Sequence, residues 1–429
     1  MKKILAIITS FLLSAFSPAL FAQWTATYSI SSSDVVYCLV QSTVIVNSVT
    51  TKYQYAGTSS GVYISTNYGT KWTLKDDGLS ESDPSILSIA PRGSNVFSGG
   101  YGGLYRSTNY GAIWSSTGDY NNGITVPSIT SIVINGQNIL ASTISSGVYR
   151  STNSGTSWTA VNDGFPDVIP WIYSMLLTSV DGTTKIYAAT GSGVYVTPTN
   201  GNTWYLLNDG LPTYNIVYSL VNYGNVILAG TSAGLYKSTN LGSTWYAVSS
   251  APVYTFYSFA LYGTYIFGGT SAGVYMSSDY GTNWTEVSDG IEYEYITALG
   301  VMDSYILAGT YDNGIWRRPV SEMIPSSTGT GKNEVPTDFA VMQNYPNPFN
   351  PVTTIKFSSA LAGRVSIKIF NALGQEIDNP VNEFKPAGNY SVAWNGSRHP
   401  SGVYFYQFEV TPSGVEKAFR EIKKMLLIK

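Results

Sequence analysis

Residues Gly147 to Trp158 read G-V-Y-R-S-T-N-S-G-T-S-W, and most of the chain repeats that stretch. Versions begin at Gly61, Gly103, Gly193, Gly234 and Gly273, and a seventh, G-I-W-R-R, begins at Gly314 and breaks off. Subtraction gives intervals of 42, 44, 46, 41, 39 and 41 residues. A period near forty is that of a four-stranded propeller blade. G-V-Y-R-S alternates apolar with small or polar residues, as a half-buried strand does. S-T-N-x-G is turn chemistry: the Asn side chain can bond backbone amides two residues on, and glycine accepts a positive φ. The Trp then opens the return strand with a large apolar surface to bury.

Each period also holds two strands before this hairpin. The first set includes V-V-Y-C-L-V from Val35, W-I-Y-S-M-L-L from Trp171, I-V-Y-S-L-V from Ile216 and Y-I-T-A-L-G from Tyr295. These are the expected innermost strands, with small or hydroxyl residues where blades crowd the axis. The second set includes N-V-F-S-G-G, V-I-L-A-G-T and Y-I-L-A-G-T. There are seven of each set but only six outer strands in line, and Q-W-T-A-T-Y-S at residues 23–29 resembles the missing one. The expected fold class is all-β: a seven-bladed β-propeller closed by pairing Trp24–Tyr28 with Gly314–Arg317, followed by a small Ig-like β-sandwich. Closure removes the open sheet edge.

S-T-N-Y-G-T-K-W (Ser65–Trp72) and S-S-D-Y-G-T-N-W (Ser277–Trp284) resemble the Asp-box, or bacterial neuraminidase repeat, of pattern S-x-D-x-G-x-x-W. The resemblance covers roughly Trp24 to Pro319. It places Asn67, Asn109, Asn153, Asn200, Asn240 and Asp279 at the structural acid position, and it implies a fold rather than an activity.

The chain has 429 residues, 44% hydrophobic and 11% charged, a composition that folds. Residues 1–22 read as a secretory signal peptide, with Lys2 and Lys3 before an apolar run from Ile4 to Phe16. No membrane span is expected after its removal. Cys38 is the single cysteine, so an internal disulfide and a thiolate metal site are excluded, and no cofactor or metal is expected. Residues 23–337 carry 11 basic and 19 acidic side chains, net −8, which argues against nucleic acid.

Up-and-down strand order puts the Asp-boxes on one face with the loop around Arg92. The other face, where propellers bind ligands over the channel mouth, carries acidic and aromatic blade connections. Asp77, Asp163, Asp209 and Asp289 each precede Gly at one phase of the repeat, which favours a turn role. Trp171, Tyr214, Tyr293 and Tyr295, with Asp167 and Glu292, are the candidate ligand-binding residues for a glycan or a protein. No catalytic residue is assigned. Asp-box sialidases grip their substrate's carboxylate with three arginines, but Arg106, Arg150, Arg317 and Arg318 fall near the Asp-box end. The single histidine, His399, lies outside the repeats. The alternative reading is a secreted glycoside hydrolase, with Asp167 and Glu292 as a conceivable carboxylate pair.

Residues 320–337 read as a flexible linker. Residues 338–429 follow, with four short strands after N-Y-P-N-P-F-N-P-V-T-T-I-K-F (Asn344–Phe357). Y-P-N-P-F-N-P, N-A-L-G-Q-E (Asn371–Glu376), P-A-G-N-Y (Pro386–Tyr390), S-G-V-Y-F-Y (Ser401–Tyr406) and the terminal K-K-M-L-L-I-K resemble the type A C-terminal sorting domain of the type IX secretion system. The resemblance implies passage across the outer membrane, recognition of residues 338–429 by the secretion machinery, and an extracellular or cell-surface product.

Overall fold

The computed structural model describes residues 23–27, 29–46, 49–118, 123–124, 128–180, 182–213, 215–291, 295–324, 339–361, 363–385, 388–412 and 418–428. Seven four-stranded antiparallel sheets follow one another, each in the order inner to outer. The first is Val36–Val46, Val49–Thr58, Gly61–Ser65 and Thr73–Leu74. The seventh is built from both ends of the propeller: Ile296–Met302, Tyr305–Thr310 and Ile315–Pro319 take Thr25–Ala26 as their outer strand. Thr25 faces Arg317, Ala26 faces Trp316, and the Thr27 N–H donates to the Ile315 carbonyl at 2.8 Å. The seven-bladed propeller expected from the repeat period is the fold; Tyr28, the last residue of the expected closing strand, lies outside the described residues.

The cores lie between blades rather than within them. One cluster joins Tyr55 and Val62 of the first sheet to Ile86, Ile89, Val96 and Trp114 of the second. The repeat Trp is the centre of a clasp between neighbours. The Trp114 indole donates to the Lys75 carbonyl at 2.9 Å, and its backbone N–H donates to the Asp77 carbonyl at 2.9 Å. Trp204 does the same to Val161 and Asp163, Trp245 to Leu207 and Asp209, and Trp24 to Val287 and Asp289. The Asp-Gly loops therefore serve through the Asp carbonyl, while the glycine lets the loop press on the next blade's Trp carbonyl. Among the described residues two joints lack both of these bonds. After Trp245 the chain reads Y-A-V-S-S-A-P, and after Thr27 it reads Y-S-I-S-S, without Asp-Gly in either case. Accordingly the Trp284 indole reaches only the Gly281 carbonyl of its own turn, at 3.3 Å. The buried Trp72 indole N–H and Thr27 hydroxyl find no partner among the described residues.

Inner strands are stitched by hydroxyls where they crowd the axis. Ser88 Oγ accepts from the Ile132 N–H, and Ser131 Oγ accepts from the Met175 N–H, each at 3.0 Å. Cys38 sits in the first inner strand, where burial pushes its thiol up to about 12, a value that keeps it unreactive.

The C-terminal residues form two facing sheets. One holds Ala340–Val341, Val352–Ser359 and Gly388–Asn395. The other runs Glu376–Lys385, Gly363–Phe370, Gly402–Pro412 and Phe419–Leu427. Ile355, Phe357, Ile367, Trp394, Tyr406 and Phe408 fill the space between them. The strand Glu376–Lys385 was not among those expected from the sequence, because Pro380 interrupts it. The fold accommodates Pro380 on the sheet's edge, at a register shift opposite Ile367 and Ile369.

Candidate functional site

All seven innermost strands carry a register shift at one place, between Val36 and Cys38, Ile86 and Ser88, Ile129 and Ser131, Ile172 and Ser174, Val217 and Ser219, Phe256 and Ser258, and Ile296 and Ala298. The inserted residue of such a bulge is re-aimed relative to its neighbours. It is tyrosine in the first, fourth, fifth and sixth blades (Tyr37, Tyr173, Tyr218, Tyr257), Leu87 in the second, and Thr130 and Thr297 in the third and seventh. The threonines are occupied locally: Thr297 Oγ1 donates to the Val36 carbonyl, and Thr130 shares a hydrogen bond with Ser142.

The tyrosines meet from blade to blade. Ring centroids run from Trp171 to Tyr173 at 6.5 Å, to Tyr218 at 5.1 Å, to Tyr257 at 5.4 Å, to Tyr295 at 5.1 Å and to Tyr311 at 5.6 Å. The row is an arc around the end of the channel, over the fourth to seventh blades. Two backbone bonds place it on the face of the turns joining the second and third strands. Gly191 N–H donates to the Trp171 carbonyl at 2.9 Å, and Tyr311 N–H donates to the Tyr295 carbonyl at 3.2 Å. The end rings are the most open, Trp171 at 54% and Tyr311 at 55% exposure; Tyr295 is also exposed, and Tyr173, Tyr218 and Tyr257 are half-buried.

Burial, and then the neighbouring phenol in each case, raises the phenols of Tyr173 and Tyr218 above the ordinary tyrosine value. Burial, followed by Tyr101, Tyr311 and Asp83, does so for Tyr37, and burial with the Tyr257 hydroxyl does so strongly for Tyr295. These phenols stay protonated at neutral pH, each able to donate and accept a hydrogen bond.

Of the expected ligand residues, Trp171 and Tyr295 are members of the arc. Asp167 is exposed in the loop before Trp171. Tyr214, Glu292 and Tyr293 lie outside the described residues. The sequence reading missed Tyr173, Tyr218, Tyr257 and Tyr311. For the three strand residues the signal was the tyrosine recurring at the third place of V-V-Y-C, W-I-Y-S, I-V-Y-S and T-F-Y-S; Tyr311, in G-T-Y-D-N-G, carried no such signal.

The Asp-boxes hold the opposite face. Ser65 Oγ accepts from the amides of Asn67 and Gly69 and contacts Asn67 Oδ1 at 2.8 Å. Asn67 Oδ1 accepts from the Lys71 amide four residues on, not two as the turn chemistry suggested. Asn109, Asn153, Asn240 and Asp279 repeat this geometry. Asn200 does not. In T-P-T-N-G the place belongs to Thr199, whose Oγ1 accepts from the Thr203 amide at 3.3 Å. Asn200 is one residue later, at φ +54°, with its Oδ1 bonded to the Asn135 amide.

Burial raises the Asp279 carboxyl, but bonds from Asn283, Ser277 and the Thr282 amide outweigh it and leave its pKa below the usual value. A depressed carboxyl stabilises above its unfolded value, near 3.9, and the contribution is lost as pH falls through the folded value. We expect Asp279→Asn to flatten that part of the acid limb of a thermal-stability profile while barely changing stability at pH 7. An unchanged acid limb would show that this carboxylate is not the titrating group.

Every described basic side chain of the propeller is on the Asp-box face or the outer walls. Lys52 pairs with Asp303, Arg106 with Asn95, and Arg150 with the Asn200 carbonyl and Asn202. Lys237 bonds Thr282, Arg317 bonds the Tyr68 carbonyl, and Arg318 bonds the Val287 carbonyl. Arg92 reaches Gln137, and Lys185 lies in the hairpin between the first two strands of its blade. Lys71 and Lys75 line a cleft of about 480 Å³ beside Asn67 and Asn109. Asp83, Asp167 and Asp312 lie in loops of the aromatic face. Among the described residues no group of His, Cys, Asp or Glu could hold a metal ion, and no helix is long and apolar enough to cross a membrane.

Residues 343–419 match the family described as a secretion system C-terminal sorting domain. The tail is a type IX sorting domain. This sorting domain directs the chain to the cell surface or the extracellular space and implies interaction with the type IX machinery. A search of curated proteins found no match. Solved structures resemble the chain in fold. The extracellular domain of a one component system from B. thetaiotaomicron is 17% identical with a TM-score of 0.56, over 84% of this chain and 47% of that one. YCF48 from Cyanidioschyzon merolae is 14% identical with a TM-score of 0.52, over 70% and 99%. The GH74 xyloglucanase from Xanthomonas campestris is 14% identical with a TM-score of 0.53, over 93% and 74%. The chain spans about half the length of the first solved structures it resembles.

Proposed function

We propose that the chain is a secreted or surface-displayed binding protein whose propeller takes a glycan or protein ligand across the aromatic arc, while the sorting domain delivers it. The unbroken row of six rings over four blades supports this reading. A packing role alone would bury the rings, yet both ends of the row are more than half exposed. Exposed aromatic side chains framed by a rigid sheet are characteristic of recognition surfaces. Asp167, in the loop before Trp171, belongs to the same rim in this reading; Tyr214, Glu292 and Tyr293, the other candidates, are outside the described residues.

The test is a glycan array and a surface-protein pull-down with the full chain, repeated with Trp171→Ala and Tyr311→Ala. Each substitution is expected to weaken capture about tenfold or more with little change in melting temperature, because neither ring is a core residue. Equal capture by the parent and both variants would refute the arc as the binding site. Reducing-sugar release from any captured glycan would move the reading to the hydrolase.

A further inference from the structure

We propose that the ligand of the aromatic arc is an uncharged polysaccharide, lying along the rings from Trp171 to Tyr311 over the fourth to seventh blades. This rests on the reading of the arc as the binding site.

Three observations carry the choice. The first is linear form. The rings are a file, each centroid 5.1 to 6.5 Å from the next, whereas anchors at a protein interface cluster near its centre. A linear file suits an extended, chain-like ligand.

The second is amphipathic chemistry. Five of the six rings are tyrosines, and each offers an apolar face and a hydroxyl that donates and accepts. A pyranose has the matching make-up, with C–H groups on its faces and hydroxyls around its rim. Trp171 and Tyr311 at the ends of the row are more than half exposed and so open to stacking.

The third is charge. All ten described basic residues of the propeller lie on the other face or the outer walls, and the aromatic face has acids in its loops. A carboxylated, sulfated or phosphorylated ligand would meet no cation among the described residues and would be repelled by Asp83, Asp167 and Asp312. Asp-box geometry is thus kept on one side of the ring, while the arc is built without the arginines that an acidic sugar requires.

The experiment measures binding of the full chain to three probes: a neutral β-glucan, a polyuronate and oligolysine. Each is run at about 0.05 M and about 0.5 M salt, a range over which exposed charge interactions are largely screened. The expected result is binding of the neutral glucan that changes less than about twofold with salt and falls about tenfold in Trp171→Ala, with no binding of the polyuronate. Binding of the polyuronate or of oligolysine that is lost in Trp171→Ala would overturn the uncharged-polysaccharide assignment and leave the arc as the site. Glucan binding that persists in Trp171→Ala and Tyr311→Ala would overturn both.

Discussion

Trp24→Ala is expected to cost about 3–5 kcal/mol of stability, the range for emptying a fully buried aromatic site. Trp24 is 3% exposed and packs with Ile291, Ile296 and Trp316. Its indole N–H donates to the Val287 carbonyl at 2.6 Å, and its backbone N–H donates to Asp289. The outer strand it anchors is only Thr25–Ala26, so little else holds that strand in register. Hydrogen exchange at the Arg317 amide should accelerate in the variant, since Arg317 faces Thr25 and its amide loses that partner when the strand leaves, whereas Trp316 and Arg318 point to the other neighbour. Thr25→Ala serves as the control. Its side chain is exposed and makes one bond of 3.2 Å to the Arg317 carbonyl, and its loss should be within about 1 kcal/mol. Equal midpoints for the two variants in denaturant would show that the propeller is not sealed by Trp24.

Gly164→Ala should be comparably damaging for a different reason. At φ +92° a side chain is strained, by about 1–2 kcal/mol. A Cβ there would also lie 2.1 Å from the Trp204 carbonyl oxygen. That carbonyl has little room to withdraw, because the Trp204 N–H is held by Asp163 at 2.8 Å and its indole by Val161. Strain and overpacking together are expected to reach about 3 kcal/mol or more. Gly182→Ala isolates the first effect: its φ is +75° with nothing within 4 Å, so the loss should stop near 1–2 kcal/mol. If the two alanines cost the same, the contact between the Asp-Gly loop and the next blade's Trp is not what resists substitution.

The propeller was legible because each blade repeats its own local chemistry. S-T-N-x-G fixes a turn, the following Trp fixes a buried strand, and Q-W-T-A-T-Y-S carried enough of that pattern to reveal the borrowed seventh outer strand. The site was only half legible. Trp171 and Tyr295 stood out in the blade connections, where an aromatic residue has no regular place. Tyr173, Tyr218 and Tyr257 sit inside strands, and strict alternation assigns each to one wall or the other. A one-residue bulge reverses that parity, and nothing in a single strand announces it; only the same tyrosine recurring across blades does. Asn200 matches the box by residue type, whereas in T-P-T-N-G a hydroxyl one position earlier makes the bond. Pro380 hid a strand because proline reads as an interruption until the sheet has an edge to put it on.

The pairing of Thr25 with Arg317 spans 292 positions. Contacts within a blade are local and form early, whereas a contact at that separation must wait for the chain to close a very large loop. Until residues near 319 are available, the blades can stand only as a series of separable hairpins, with the amino-terminal ribbon unmatched. Only when residues near 319 have followed can the disc snap shut, and a disc is far wider than the thread it came from.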